Sequence, residues 1–349
     1  MTKKEYLLGE LFCGPGGIAY GALSVKVPGV TIQHAWANDF DKDTCRTYIR
    51  NICPDNSESV ICKDVRELDI ASLGSINALA FGFPCNDFSL VGQKKGLNGE
   101  YGPLYKYGKI ALEIFHPEWF FAENVGGLKA DDGGKTLSLI LREYADCGYK
   151  LYPHLYKFEE YGIPQTRHRI IIIGIRNDLP YEYKVPSPEG YRMKTCREAI
   201  ECPPIPSDAA NNNRRSLNPR VRARLEYIKP GQNAFNADIP DSLKLHIKGA
   251  TLSHIYKRLD PNRPSYTVTG CGGGGTHMYH WSENRALTNR ERARLQTFPD
   301  SFVFEGNDTQ VRKQVGMAVP CEGARVIIEA LMKSIVGIDY KSIPCSISF

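Results

Sequence analysis

Hydrophobic residues in the first half of the chain recur in two alternating patterns. "YLLGELF" (6–12), "TIQHAWAND" (31–39), "SINALAFGF" (75–83) and "EWFFAENV" (118–125) have the length and the apolar, aromatic or β-branched content of buried strands. Between the first of these, "IAYGALSV" (18–25) and "DKDTCRTYIRNI" (41–52) read as helices. "GYKLYPHLYKF" (148–158) and "HRIIIIGIR" (168–176) add two further strands. Strand–helix alternation predicts an α/β fold, with a mostly parallel sheet covered by helices on both faces. After about residue 180 the texture changes. Prolines crowd at 180, 186, 188, 203, 204 and 206, and "NNNRR" (211–215) reads as loop. Near the end "NRERARLQTF" (289–298) and "EGARVIIEALMKSIV" (322–336) are helical, the latter able to pack back on the sheet.

Composition narrows the class. The chain has 349 residues, room for one large domain and a smaller one, with 42% hydrophobic and 24% charged residues. No apolar run reaches the roughly 18 residues of a membrane span, and the N-terminus lacks a secretory leader, so a cytoplasmic protein is expected. The eleven cysteines include no C-x₂₋₄-C pair, which predicts free thiols rather than a metal site or a disulfide framework. Net charge is +5, yet residues 181–263 alone hold 15 Lys and Arg against 9 Asp and Glu. A basic, irregular segment is either a solvated face or a nucleic-acid surface. Its densest part carries Arg214, Arg215, Arg220, Arg222 and Arg224.

Candidate chemistry sits at strand ends, where ligands of open α/β sheets bind. "LFCGPGG" (11–17) offers glycines at 14, 16 and 17 for close backbone approach, but it is not the dinucleotide fingerprint. Asp39, ending the second strand, suits ribose hydroxyls, and Asp64 suits an adenine amino group. The strand at 75–83 runs into Pro84-Cys85, where a thiol is either core packing or a nucleophile. Glu123 ends another strand, where partial burial would keep its carboxyl protonated. Arg167 and Arg169 alternate, hence share one face if the segment is extended.

Taken in order, these residues resemble the DNA cytosine-C5 methyltransferases of prokaryotic type. The family's F-x-G-x-G-G stands as Phe12-Cys13-Gly14-Pro15-Gly16-Gly17, its ribose acid and following aromatic as Asp39-Phe40, and its adenine acid as Asp64-Val65. The P-C dipeptide is Pro84-Cys85, the E-N-V triplet is Glu123-Asn124-Val125, and Q-x-R-x-R is Gln165, Arg167 and Arg169. "RPSYTVTG" (263–270), "RLQTFPD" (294–300) and "QVGMAVP" (314–320) resemble later hallmarks. Two departures stand out: Asn86-Asp87 follows the thiol where Gln-Pro is usual, and Met317 replaces a side-chain amide.

The resemblance implies a Rossmann-like S-adenosyl-L-methionine methyltransferase domain with a mixed, mostly parallel sheet, plus a smaller irregular target-recognition domain. The expected division is 1–180 catalytic, 181–285 target recognition, 286–313 hinge, and 314–349 returning to the catalytic domain. Cys85, Glu123, Arg167 and Arg169 would be catalytic. Phe12, Gly14, Gly16, Gly17, Asp39, Phe40, Asp64, Val65 and Pro84 would hold the cofactor. Lys94 and Lys95, in the glycine-rich loop 92–103, and the five arginines would meet double-stranded DNA. A flipped cytosine would be attacked at C6 by Cys85 and methylated at C5. A monomer is implied, with a restriction endonuclease of the same system as a functional partner. Three other readings compete: an RNA cytosine-C5 methyltransferase, a silent DNA-binding relative, and a redox or Cys-hydrolase enzyme. The basic insert disfavours the first. The joint presence of Cys85, Glu123 and Arg167 disfavours the second, and the lack of C-x-x-C and of a His partner the third.

Overall fold

The strands fall where apolar runs are framed by turns. The computed structural model describes residues 3–83, 104–129, 131–245, 253–270 and 274–349. In chain order the elements are β1 (Lys4–Leu11), α1 (Gly17–Leu23), β2 (Val30–Asp39), α2 (Lys42–Ile52), β3 (Val60–Cys62) and β4 (Ala78–Gly82). Next come α3 (Tyr105–Phe115), β5 (Trp119–Val125), α4 (Lys135–Asp146), β6 (Tyr149–Lys157), β7 (Gln165–Thr166) and β8 (His168–Arg176). After β9 (Val185–Pro186) follow α5 (Cys196–Glu201), α6 (Pro219–Glu226) and β10 (Ser265–Tyr266). The chain ends with α7 (Asn289–Leu295), α8 (Asp308–Met317), α9 (Cys321–Val336) and β11 (Ser342–Ile343).

The chain divides into two units: residues 1–158, 168–190 and 319–349, and residues 159–167 and 191–318. The first holds a seven-stranded sheet in the order β3-β2-β1-β4-β5-β8-β6. Pairing is parallel from β3 to β5 and antiparallel where β8 meets β5 and β6. The predicted α/β fold with a mixed, mostly parallel sheet is therefore found. Strand order reverses beside β1, the position at which such sheets bind ligands.

Each face of this sheet has its own cover. On one, Phe81, Phe120 and Tyr144 form an aromatic triangle with ring centroids 5.7–5.8 Å apart. All three are fully buried, each stabilising the fold by about 1.5–3 kcal/mol. On the other, Gly21 of α1 backs onto α9 so closely that a Cβ would lie 2.4 Å from the Cys321 carbonyl oxygen. The last long helix thus returns to the first.

The second unit has little regular structure, so backbone carbonyls need other donors. Buried arginines supply them. Arg290 donates to the carbonyls of Ala210, Pro299 and Phe302. Arg258 serves those of Leu225, His280 and Glu283. The basic stretch expected to be irregular contains α6, begun by Asn218, whose side chain accepts from the Arg220 N–H at 2.9 Å, with Pro219 at the first helical position.

The unit boundaries differ from the expected division. Residues 181–190 stay with the sheet, because β9 pairs with β11. Residues 159–167 leave it, because β7 pairs with β10. Residues 286–318 lie within the second unit, where the Arg290 cross-links tie α7 to residues 210 and 302. Among the described residues no helix is long and apolar enough to cross a membrane.

Candidate active site at the carboxyl ends of the strands

The turn after β1 has an unusual backbone. Phe12, Gly14 and Gly16 all have positive φ, at 53°, 55° and 96°. For Phe12 this is a strained conformation, of the kind that persists where surroundings hold it for a purpose. Two bonds hold the turn against β2: Cys13 N–H to the Asn38 carbonyl at 3.0 Å, and Gly14 N–H to Asp39 Oδ2 at 3.1 Å. Gly17 must be glycine, since a Cβ there would sit 2.3 Å from the Val319 carbonyl oxygen.

The two candidate acids occupy neighbouring strand ends. Asp39 accepts from Gly14 and, through Oδ1, from the Asp41 N–H at 3.0 Å; burial raises its pKa. Asp64 accepts from the Arg66 N–H at 2.9 Å and ion-pairs with the Arg66 guanidinium at 2.6 Å, and that hydrogen bonding lowers its pKa. Asn38 positions it indirectly, donating to the carbonyls of Ile61 and Lys63 at 2.9 and 2.8 Å. Phe40 exposes 64% of its surface at this edge, whereas Val65 is a core residue.

These groups fit a sulfonium nucleoside. The carboxylate lone pairs left over from the Gly14, Asp41 and Arg66 contacts suit ribose hydroxyls and an adenine amino group, and the exposed Phe40 ring suits the adenine face. Beyond Gly14, where a Cβ would meet nothing within 4 Å, there is room for a ligand against the backbone.

At the neighbouring strand ends, β4 and β5 pair Gly82 with Glu123. Glycine leaves space for the carboxyl group: a Cβ on Gly82 would lie 3.2 Å from Glu123 Oε2. The Glu123 carboxyl faces a basic partner. Arg169 Nε lies 2.8 Å from Glu123 Oε1, and both side chains are largely covered. Buried Asn124 donates to the Phe83 carbonyl at 3.2 Å, fixing the chain just before Pro84-Cys85. Pro84, Cys85, Lys94 and Lys95 lie outside the described residues.

Arg167 does not share a face with Arg169, because the extended segment breaks between β7 and β8. It is buried in the second unit, donating to the carbonyls of Val268 at 3.0 Å and Gly316 at 3.3 Å. There it is a cross-link. Gln165 and Gln296 complete this hub, with Gln165 accepting from the Val268 N–H at 2.7 Å and donating to Gln296 at 2.8 Å. Gln296 in turn donates to the carbonyls of Val315 and Ala318, which bracket Met317. The absent amide at Met317 therefore leaves these flanking carbonyls satisfied, with the methionine 47% exposed.

The five basic candidates separate. Arg224 is 4% exposed, bonded to the Leu243 carbonyl at 2.7 Å and seated over the Tyr256 ring, so it is structural and not part of an exposed cluster. Arg214 and Arg215 have carboxylate partners in Glu283 and Asp308, at 2.8 and 2.9 Å. Arg220 and Arg222 are exposed on α6.

One residue escaped the sequence reading. Glu10, two positions before the strained turn, is fully buried, and burial raises its pKa to about 8. Tyr48 donates to it at 3.0 Å and also meets His34, whose other ring nitrogen contacts Ser59. Its signal was a lone carboxylate inside an apolar strand. A carboxyl with a raised folded pKa contributes stability that is full below the ordinary carboxylate range and lost as pH rises through about 8. Thermal denaturation from pH 5 to 9 should therefore show wild-type Tm falling relative to Glu10→Gln; parallel curves would exclude a buried proton here.

A family model for C-5 cytosine-specific DNA methylase matches residues 6–333. The chain is 54% identical over 355 residues to the type II methyltransferase M.BbvI of Brevibacillus brevis, covering 97% of this chain and 94% of that protein. It is 38% identical to the type II methyltransferase M.NgoFVII of Neisseria gonorrhoeae, over 93% and 85%. Among solved structures, a prophage-encoded E. coli protein provisionally assigned as a DNA modification methyltransferase superposes with a TM-score of 0.72 at 20% identity, covering 94% of this chain and 99% of that one.

Proposed function

The chain belongs to the C-5 cytosine-specific DNA methylases, and from that premise we propose how its residues share the work. The reaction moves a methyl group from S-adenosylmethionine to C5 of a cytosine in DNA. The observation carrying the assignment of roles is the Glu123–Arg169 pair beside the clamped end of β4.

A cytosine inside a duplex is out of reach, so the base is flipped, at a cost of a few kcal/mol. The Cys85 thiolate then forms a bond to C6, pushing an electron pair towards C5, while Glu123, oriented by Arg169, contacts or protonates N3. Bound S-adenosylmethionine supplies an electrophilic methyl group. Once C5 carries the methyl, its proton leaves to a base and Cys85 departs from C6, restoring the ring and the thiolate. Asp39, Asp64, Phe40 and the turn Phe12–Gly17 hold the cofactor, and Lys94 and Lys95 contact the DNA. The second unit selects the target sequence, with Arg220 and Arg222 its exposed basic contacts. The enzyme acts as a cytoplasmic monomer, shielding sites from a restriction endonuclease of the same system, as relatives named type II methyltransferases suggest.

Methylation of a mixed-sequence duplex library, mapped for 5-methylcytosine at base resolution, tests this reading. One short motif methylated at one cytosine is expected. Scattered modification would remove sequence selection from the second unit. In the same preparation Asp39→Ala should weaken cofactor affinity by roughly 10-fold or more, as expected for a lost hydrogen bond to a charged group of about 1.5–3 kcal/mol. Unchanged affinity by calorimetry would place the cofactor elsewhere.

A further inference from the structure

Asn38 is an amide inside the sheet, one residue before Asp39 at the end of β2, and only 1% exposed. A carboxamide in such a place is costly unless its polar atoms are bonded. Its side-chain nitrogen donates to two carbonyls of the neighbouring segment, Ile61 at 2.9 Å and Lys63 at 2.8 Å. That uses both N–H donors of the group. The main-chain carbonyl of the same residue accepts from the Cys13 N–H at 3.0 Å, in the turn that follows β1. One residue thus ties together the ends of β1, β2 and β3.

The tie bears most on Asp64. β3 has only three residues and lies at the edge of the sheet, with β2 as its neighbour. Its register with β2 ends at the Asp39–Cys62 pair. Beyond that pair stands Lys63, the residue before Asp64, and β2 holds both of its backbone polar groups. The Lys63 N–H donates to the Asp39 carbonyl at 3.0 Å, and the Lys63 carbonyl accepts from Asn38. Asp64 then caps the short turn Val65–Glu67 through the Arg66 N–H, with 32% of its side chain exposed. Arg66 orients the carboxylate locally, but it travels with the same segment and cannot fix that segment to the sheet. Asp39 has separate supports, the N–H groups of Gly14 and Asp41.

We propose that Asn38 is a positioning residue for cofactor recognition: its carboxamide sets where Asp64 stands relative to Asp39. It thereby sets the span between the group that meets adenine and the group that meets ribose. The amide is buried, where a hydrogen bond counts for more than at the surface. Without it the segment from Lys63 onward loses a bond to β2, while Asp39 keeps its own. The assignment rests on the reading that Asp39 and Asp64 hold S-adenosylmethionine.

The test is calorimetric titration of the full chain with S-adenosylmethionine. Wild type is compared with Asn38→Ala, Asp64→Ala, Asp39→Ala and the two double variants that join Asn38→Ala to each aspartate change. Alone, Asn38→Ala should weaken affinity about 3- to 10-fold, the worth of one or two hydrogen bonds. Because Asn38 acts through Asp64, that factor should shrink to within about twofold in the Asp64→Ala background. In the Asp39→Ala background it should persist in full. A general loss of structure makes no such distinction. Equal behaviour in the two backgrounds, with the factor kept or lost in both, therefore overturns the proposal. Tm is measured beside each titration, and if Asn38→Ala does not fold, Asn38→Ser, which keeps a donor at the position, takes its place in the cycle. Wild-type affinity in a folded Asn38 variant, with Asp64→Ala weakened, overturns this inference alone. Wild-type affinity in Asp64→Ala overturns the reading of the cofactor site, and the inference with it.

Discussion

Cys85→Ser is expected to lose methyl transfer by at least ~10³-fold while cofactor affinity stays at the wild-type level. A thiol of pKa about 8.5 is a few per cent anion near pH 7. An aliphatic hydroxyl, with an acidity near that of water at about 15.7, supplies roughly seven orders of magnitude less. Preorganisation cannot close that gap. The Asn124–Phe83 bond at the end of β4 is untouched by the substitution. Transfer of labelled methyl groups to a duplex, with calorimetry for the cofactor, separates chemistry from binding. A serine variant within tenfold of wild type would remove Cys85 from the mechanism.

The second large effect concerns Glu123→Gln. Shape is kept, but the group that can pass a proton to N3 is lost, and acid–base participation of this kind is worth about 10²–10⁴ in rate. The expected signature is a fall in kcat of that size with DNA affinity within a few-fold. Arg169 complicates the substitution. Its guanidinium lies 2.8 Å from the Glu123 carboxylate with both side chains largely covered, and removing one partner strands the other. The Tm of the variant should drop, so single-turnover rates are compared at a temperature where both proteins are folded. A kcat equal to wild type under those conditions would make Glu123 a positioning partner of Arg169 and nothing more.

Much of this site was legible in the sequence because its chemistry clusters locally. The turn Phe12–Gly17, Asp39-Phe40, Asp64-Val65 and Glu123-Asn124 each directly follow or end a short apolar run, and such runs become strands with predictable ends. Parallel strands then bring those ends to one edge, so residues far apart in the chain needed no long-range information to be grouped. The helix α6 was also legible in Asn218-Pro219 but was masked by the surrounding loop-like composition.

What the sequence could not decide is where each long side chain goes. Arg167 and Arg169 are two residues apart and identical in type, yet one cross-links carbonyls in the second unit and the other pairs with Glu123 in the first. Arg222 and Arg224 divide in the same way, one exposed and one buried over Tyr256. The raised pKa of Glu10 depends on what surrounds it after folding. Local pattern determines which backbone forms and where it ends, because propensity and periodicity act over a few residues. The destination of a guanidinium or carboxyl is set by acceptors and charges contributed from distant segments, and only the packed chain brings those together.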